Sequence, residues 1–281
     1  MINNTSINCK YGGPYSAVGP DAAKTWKRSY SSIYSAHYLE HPTLGPMNIG
    51  FCHDENKNSC NQQNTINPIF HPTCVSGTDY TGYFAILSAV WTKNIQSNNW
   101  GQSGYNNDIG PILWPSVGYV SSDNTNASQG LLQPTSIISG NYIYIFIWDK
   151  RPLGKAQGQE GRNRGIKVVR TTIANCNNPL LYEVYYKNSQ GVETWLPSLP
   201  SGFTKETMLN YVKIQGPKSS GILFDEISGN TEFFIFSVAK VNNQNYFIGS
   251  EEYVDNNDKG RQHIAVRFSY DLVNWSERKK I

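Results

Sequence analysis

"QPTSIISGNYIYIFIWDK" (residues 133–150) reads as two strands joined by a tight turn. Gly140-Asn141 is a turn dipeptide between two runs rich in Ile, Tyr and Phe. Antiparallel pairing brings Gln133 back beside Trp148, Asp149 and Lys150. One edge of the hairpin therefore collects an amide, an indole, a carboxylate and an amine, while the stretch between is mostly apolar.

The rest of the chain has the composition of a sheet protein. Aromatic residues make up 13% of the 281 residues, with 18 Tyr and 7 Trp, and charged residues only 16%. Tyr, Thr, Val, Ile and Ser are common, and long helix-favouring runs are missing. A net charge of +3 is too small for the concentrated basic face that nucleic acid requires. No apolar run reaches the length of a membrane-spanning helix, so neither nucleic acid nor membrane is an expected partner. The opening "MINNTSINCKYGG" lacks the charged and apolar regions of a leader peptide. The two readings are a cytosolic protein and a mature secreted or periplasmic form with its leader removed, and the second is the expectation.

The five cysteines do not fix the compartment. Cys52 and Cys60 flank a polar stretch across which a disulfide is feasible. A zinc site from Cys52, His53, Cys60 and Cys74 lacks CxxC spacing and is disfavoured. No metal ligand set is assigned.

Repetition then organises the chain. "HPTCV" (71–75) and "QPTSI" (133–137) share Pro-Thr, and "ISGN" at 138–141 recurs at 227–230. "SSIYSAHY" (31–38), "YFAILSAVW" (83–91), "YIYIFIW" (142–148) and "TEFFIFSVAK" (231–240) read as second strands. "MNIGFCH" (47–53), "PSVGYVSS" (115–122), "GIKVVRTT" (165–172) and "HIAVRFSY" (263–270) read as third strands, and "LLYEVYYK" (180–187) as a fourth. Four units follow, beginning near Pro14, Pro72, Pro134 and Ile222, with an irregular insert carrying a short helix at 204–213. Four-stranded antiparallel units in series predict an all-β fold, a β-propeller of five blades with four traced, as a single domain over 1–281. A two-sheet sandwich is the competing architecture.

In such a unit the second strand returns to the end where the first began. Strand openings and exits then share one face, under the loops that follow. That face collects His71 and Gln133 at openings, and His37, Glu40, Trp91, Trp148, Asp149 and Arg151 at exits. The excursions add Arg164, Glu251 and Glu252. Aromatics among carboxylates, amides and arginines suit an oligosaccharide or glycoside, whose rings stack on Trp or Tyr while hydroxyls take directional hydrogen bonds. Each residue also has a plain alternative. Trp91 and Trp148 can pack strand ends, and the polar stretches around 150–165 and 251–252 can be solvated loops.

"QPTSIISGNYIYIFIWD" resembles the blade opening of the five-bladed β-propeller glycoside hydrolases, the arabinanase, xylosidase and fructosidase superfamily. "SYDLVNWS" (269–276) resembles an S-x-D-L-x-x-W hairpin of those families and the Asp-box of sialidases. The resemblance implies two aspartates and a glutamate presented from separate blades, and in some members a structural calcium. His71 and Gln133 stand where the acid of the family's acid-Pro motif would be, so those carboxylates do not transfer by position. The sequence reading therefore takes Asp149 and Glu251 as the catalytic pair with Glu40 modulating. One carboxyl donates a proton and the other stays ionised. Trp91, Trp148, Gln133, His71, His37, Arg151 and Arg164 bind substrate on this reading. The alternative is a non-catalytic, lectin-like propeller that binds glycan or protein.

Overall fold

A computed structural model describes residues 30–57, 83–93, 108–113, 129–150, 165–188, 190–199, 201–203, 222–225 and 231–281. These residues are almost entirely strand. Among them no helix is long and apolar enough to cross a membrane.

The first sheet is an antiparallel run of β1 (Tyr30–His41), β2 (Gly45–Lys57), β3 (Tyr83–Thr92) and β4 (Asp108–Leu113). The second runs β5 (Gln129–Ser139), β6 (Tyr142–Lys150), β7 (Gly165–Thr172), β8 (Glu183–Lys187) and β9 (Glu193–Pro197). β10 (Ile222–Asp225) adds to β7. The third sheet is β11 (Thr231–Lys240), β12 (Phe247–Asp255), β13 (Arg261–Ser269) and β14 (Lys279–Lys280). Sheets one and two touch edge to edge where β3 runs parallel to β5 at Phe84–Gln129 and Ala85–Gly130. Gly130 makes that junction possible. Its φ is +104°, and a Cβ there would lie 2.1 Å from the Ala85 carbonyl oxygen.

The opening hairpin is found as read, with Ser139 and Tyr142 paired across a two-residue turn in which Gly140 takes φ +58°. Its mostly apolar interior follows from burial on both sides. Ile143, Ile145 and Ile147 pack with Leu39, Met47, Ile49, Phe51, Leu87 and Ala89 of the first sheet. Phe146 and Trp148 alternate with them and pack with Phe236, Phe247 and Tyr253 of the third. A strand has a side-chain period of two, so each face meets a different neighbour. Burying one such Phe or Trp is worth roughly 1.5–3 kcal/mol. By hydrogen bonding the first two groups are halves of one ten-stranded sheet, joined only through the β3–β5 contact, and β11–β14 form a separate four-stranded sheet; both halves and the third group are called sheets for their separate antiparallel runs.

Four parts of the sequence reading are corrected. "SSIYSAHY" is the first strand of the first sheet, with "MNIGFCH" second and "YFAILSAVW" third, so two expected units share one sheet. The Ser-Ala likeness of strands 31–38 and 83–91 reflected two parallel members of one sheet, not two repeats. Ile222 opens no unit, because its strand pairs with β7. Residues 247–255, read as an excursion, form a strand whose alternating burial buries Phe247, Gly249 aside, Glu251 and Tyr253 on one face. The two glutamates had masked that alternation. The expected strands at 71–75 and 115–122, the helix at 204–213, and Cys60 and Cys74 lie outside the described residues. Cys52 is buried with Val90 and Ile33.

Candidate functional site at the end of the second strands

The three sheets carry the same local construction. The second strand of each carries an aspartate near its C-terminal end: Asp54 three residues before the end of β2, Asp149 one residue before the end of β6 and Asp255 at the end of β12. In the first two sheets the carboxylate reaches diagonally to the third strand. Asp54 is opposite Ile86 and accepts a 2.5 Å hydrogen bond from Ser88, two residues on. Asp149 is opposite Gly165 and forms a 2.5 Å ion pair with Lys167, again two residues on. In the third sheet Asp255 accepts from the Asn257 backbone amide instead and caps a short turn into β13.

The first strands repeat a second feature. Each has a β-bulge at nearly the same height, around Tyr34 on β1, Gln133-Pro134 on β5 and Phe234 on β11. A bulge puts two residues opposite one and re-aims a side chain. Gln133 takes φ +51° to do so, uncommon for a residue with a Cβ, and its Oε1 is buried without a hydrogen-bond partner.

Strand directions fix which candidate residues share an end. β3 and β5 start together, and β6 finishes beside the start of β5. Gln133, Trp148, Asp149 and Lys167 therefore sit at one end, with Asp54 at the same end of its sheet. Trp91 closes β3 and His41 closes β1, so Trp91, His37 and Glu40 lie toward the other end. The expected convergence of all strand exits is thus corrected. It assumed that strands 31–38 and 83–91 run toward the Asp149 end, and both run away from it. The hairpin read from the sequence does bring Gln133 near Trp148 and Asp149, although their partners are Leu132 and Leu131 and Gln133 lies in the bulge beside them. Sequence reasoning missed Lys167, whose strand position "GIKVV" looked like an ordinary buried run, and it missed Asp54 and Asp255 as repeats of Asp149.

The individual environments differ. Trp148 is buried between sheets two and three. Asp149 is fully buried and Lys167 only 2% exposed, so the pair forms a charge couple inside the stack. Glu40 is exposed and accepts a 2.6 Å hydrogen bond from Tyr38. His37 bonds the Ser136 hydroxyl at 2.8 Å across the first two sheets, and burial lowers its pKa against the opposing hydrogen bond at Ser136. Trp91 is partly buried against the core of sheets one and two. Glu251 is buried in a cluster with Arg267, 3.3 Å away, and Arg278, whose guanidinium lies 3.8 Å over the Tyr253 ring. His71, Arg151 and Arg164 lie outside the described residues.

The cluster around Glu251 fastens the "SYDLVNWS" hairpin. Asp271 accepts from the backbone amides of Val273 and Asn274 at 2.9 and 2.7 Å. The Trp275 indole donates to the Leu272 carbonyl at 3.1 Å and stands edge-on to Phe236 and Phe146, 5.3 and 5.8 Å away. Among the described residues no group of three His, Cys, Asp or Glu side chains is gathered as a metal site would require.

No protein-family model matches the chain, and no curated protein matches it. Solved structures do. The chain is similar to inulosucrase from Halalkalicoccus jeotgali bound to kestose, with 9% identity and a TM-score of 0.41 over 95% of this chain and 57% of that one. It is similar to Trypanosoma rangeli sialidase in complex with the inhibitor DANA, with 12% identity and a TM-score of 0.40 over 90% of this chain and 31% of that one. It is similar to an α-L-arabinanase of Penicillium chrysogenum complexed with arabinobiose, with 11% identity and a TM-score of 0.34 over 88% of this chain and 49% of that one. The chain thus spans between 31% and 57% of the length of these structures.

Proposed function

We propose that the chain is one β-propeller domain of carbohydrate-active kind, a glycoside hydrolase whose site lies at the Asp149 end of the sheets. The carrying observation is the repeated rim. Three successive groups of strands carry an aspartate near the end of the second strand, and one of these, Asp149, lies close to Trp148, Gln133 and Lys167. On this reading the three sheets are successive blades of a propeller for which the sequence reading gives five. Stacking in chain order supports it, since radial packing is how twisted antiparallel sheets cover both faces.

Glycoside hydrolysis needs a fixed negative charge on one side of the scissile bond and a proton donor on the other. Asp149, ion-paired to Lys167, supplies the ionised group in this proposal. The proton donor is a second carboxyl at the same end, drawn from the repeat equivalents Asp54 and Asp255. Glu251, the earlier candidate, is fastened by two arginines and is given a framework role here, and Glu40 a surface role. The test is a screen of chromogenic furanosides, pyranosides and sialosides with wild type and Asp149→Asn. Turnover lost in the variant, with glycan binding retained at a temperature well below its lowered melting point, is the expected result. Unchanged turnover rejects the assignment of Asp149.

A second reading, a non-catalytic glycan-binding propeller, is favoured by one observation. Asp54, Asp149 and Glu251 are all buried and already engaged within the protein. Glycan retention without cleavage of any chromogenic substrate would select it.

A further inference from the structure

The side chains that β6 turns toward the third sheet fall into two groups. Phe146 and Trp148 are buried with Phe236, Phe247 and Tyr253. Tyr144 and Tyr142 continue the same face by the strand period of two, and both are only half-buried. Arg170 stands opposite Tyr144 on β7, and Glu183 opposite Arg170 on β8. The half-buried Trp195 of β9 brings its ring within 6.2 Å of Tyr144. These side chains gather toward the Gly140-Asn141 end of the second sheet. Arg170 is five strand positions from Gly165, the partner of Asp149, or about 17 Å at 3.3 Å per residue. The cluster is therefore separate from the Asp149 end.

Arg170 is held by three groups. Its Cζ lies 3.8 Å over the Trp195 ring and 4.7 Å over the Tyr142 ring, and its Nε donates to Glu183 Oε2 at 3.1 Å. A long side chain clamped in this way has given up its rotamer freedom before any ligand arrives. The Nε bond uses one of five guanidinium donors. Among the described residues neither Nη group has a hydrogen-bond partner, and Glu183 Oε1 has none either. The Arg170 side chain is 21% exposed and that of Glu183 43%. Fixed donors therefore stand beside an open acceptor, next to partly exposed rings.

That pairing discriminates between ligands. A carboxylate or a phosphate only accepts, so it would gain the Nη donors and be repelled by Glu183. A hydroxyl both donates and accepts, and two vicinal hydroxyls accept from the guanidinium while donating to the carboxylate. The C–H face of the same sugar ring then meets the exposed parts of Tyr142 and Trp195. We propose that Arg170 and Glu183, flanked by Tyr142 and Trp195, form a second glycan-binding site that takes a neutral sugar by its vicinal hydroxyls and anchors a polysaccharide away from the Asp149 end. The proposal rests on the carbohydrate-active reading above. The plain alternative is that the cluster only fastens β9 to its sheet, in which case its variants change stability and leave binding alone.

Affinity electrophoresis of the full chain in arabinan, inulin and dextran sulfate, a polyanion with few free hydroxyls, tests it. Arg170→Lys keeps the charge and loses the planar fork. Glu183→Gln keeps an oxygen for Nε and puts an NH2 donor where Oε1 accepted. The control is Arg261→Lys, which alters an arginine 67% exposed on the third sheet. Retention of wild type in arabinan or inulin, falling fivefold or more in both Arg170→Lys and Glu183→Gln and unchanged in Arg261→Lys, is expected, and cleavage of any small chromogenic glycoside stays at the wild-type rate. A fall confined to dextran sulfate, or an equal fall in the control, overturns the inference. So does equal retention of wild type and both variants, or no retention of wild type in either neutral polymer, while cleavage of a chromogenic glycoside by wild type still leaves the carbohydrate-active reading standing. Wild type that is retained by no glycan and cleaves no chromogenic glycoside overturns both.

Discussion

Single atoms decide much of how these sheets meet. At Gly130 a methyl group has nowhere to go, since it would overlap the Ala85 backbone at 2.1 Å in a conformation that already disfavours L residues. Gly130→Ala is expected to cost at least about 3 kcal/mol, read as a lower urea midpoint, because strain and overpacking add. The Asp149–Lys167 couple behaves differently. Removing one charge leaves the other buried, so Lys167→Met should destabilise by roughly 3–5 kcal/mol. The double variant Asp149→Leu/Lys167→Met should recover much of that loss, and a double-mutant cycle in urea measures the coupling. His37 makes a pH prediction. Burial sets its folded pKa below the ordinary imidazole value, so the unfolded chain binds more protons between the two values. Its contribution is therefore present above the unfolded pKa and falls as pH drops through the folded one. His37→Gln should flatten the loss of stability measured between about pH 7 and 5.

Strands and hairpins were legible in the sequence where a turn dipeptide and an alternating run agreed. The Gly140-Asn141 hairpin is the clearest case: it brings the start of β5 to the end of β6, where Leu132 and Leu131 pair with Trp148 and Asp149 and Gln133 stands next to them in a bulge. Residues 247–255 were not legible, because Glu251 and Glu252 look like a loop until Arg267 and Arg278 are seen to neutralise the buried one. Those arginines are 16 and 27 residues away, beyond the reach of any local pattern. Strand order within a sheet was also hidden. First and third strands run parallel and share composition, so "SSIYSAHY" and "YFAILSAVW" imitate a repeat. The hairpin at 269–276 was recognised by its motif, and its role is now physical. Its tryptophan plugs the seam between the second and third sheets. Trp275→Ala should cost roughly 3–5 kcal/mol, with loss of the near-ultraviolet dichroism of the Phe146–Phe236–Trp275 cluster. Gly249 belongs to the same seam, since a Cβ there would lie 2.4 Å from the Phe236 ring.

Among the described residues, the middle sheet is packed on both faces and the third on the face toward the second. The outward face of the third sheet carries Ile235 and Ile264 at 44% and 60% exposure. Amide exchange should accordingly be slowest along β6 and β7 and faster in β11 and β13. Equal protection in all three sheets would contradict the stacking order. Because the sheets lie in the order in which the chain makes them, the cores described join successive sheets. Among the described residues, stability then contains a coupling term for each pair of successive sheets in addition to the terms of the sheets themselves. The Trp275 seam then works as a coupling constant. Weakening it should convert a single melting transition into two, with the Trp275 sheet and its seam releasing in one and the first two sheets in the other.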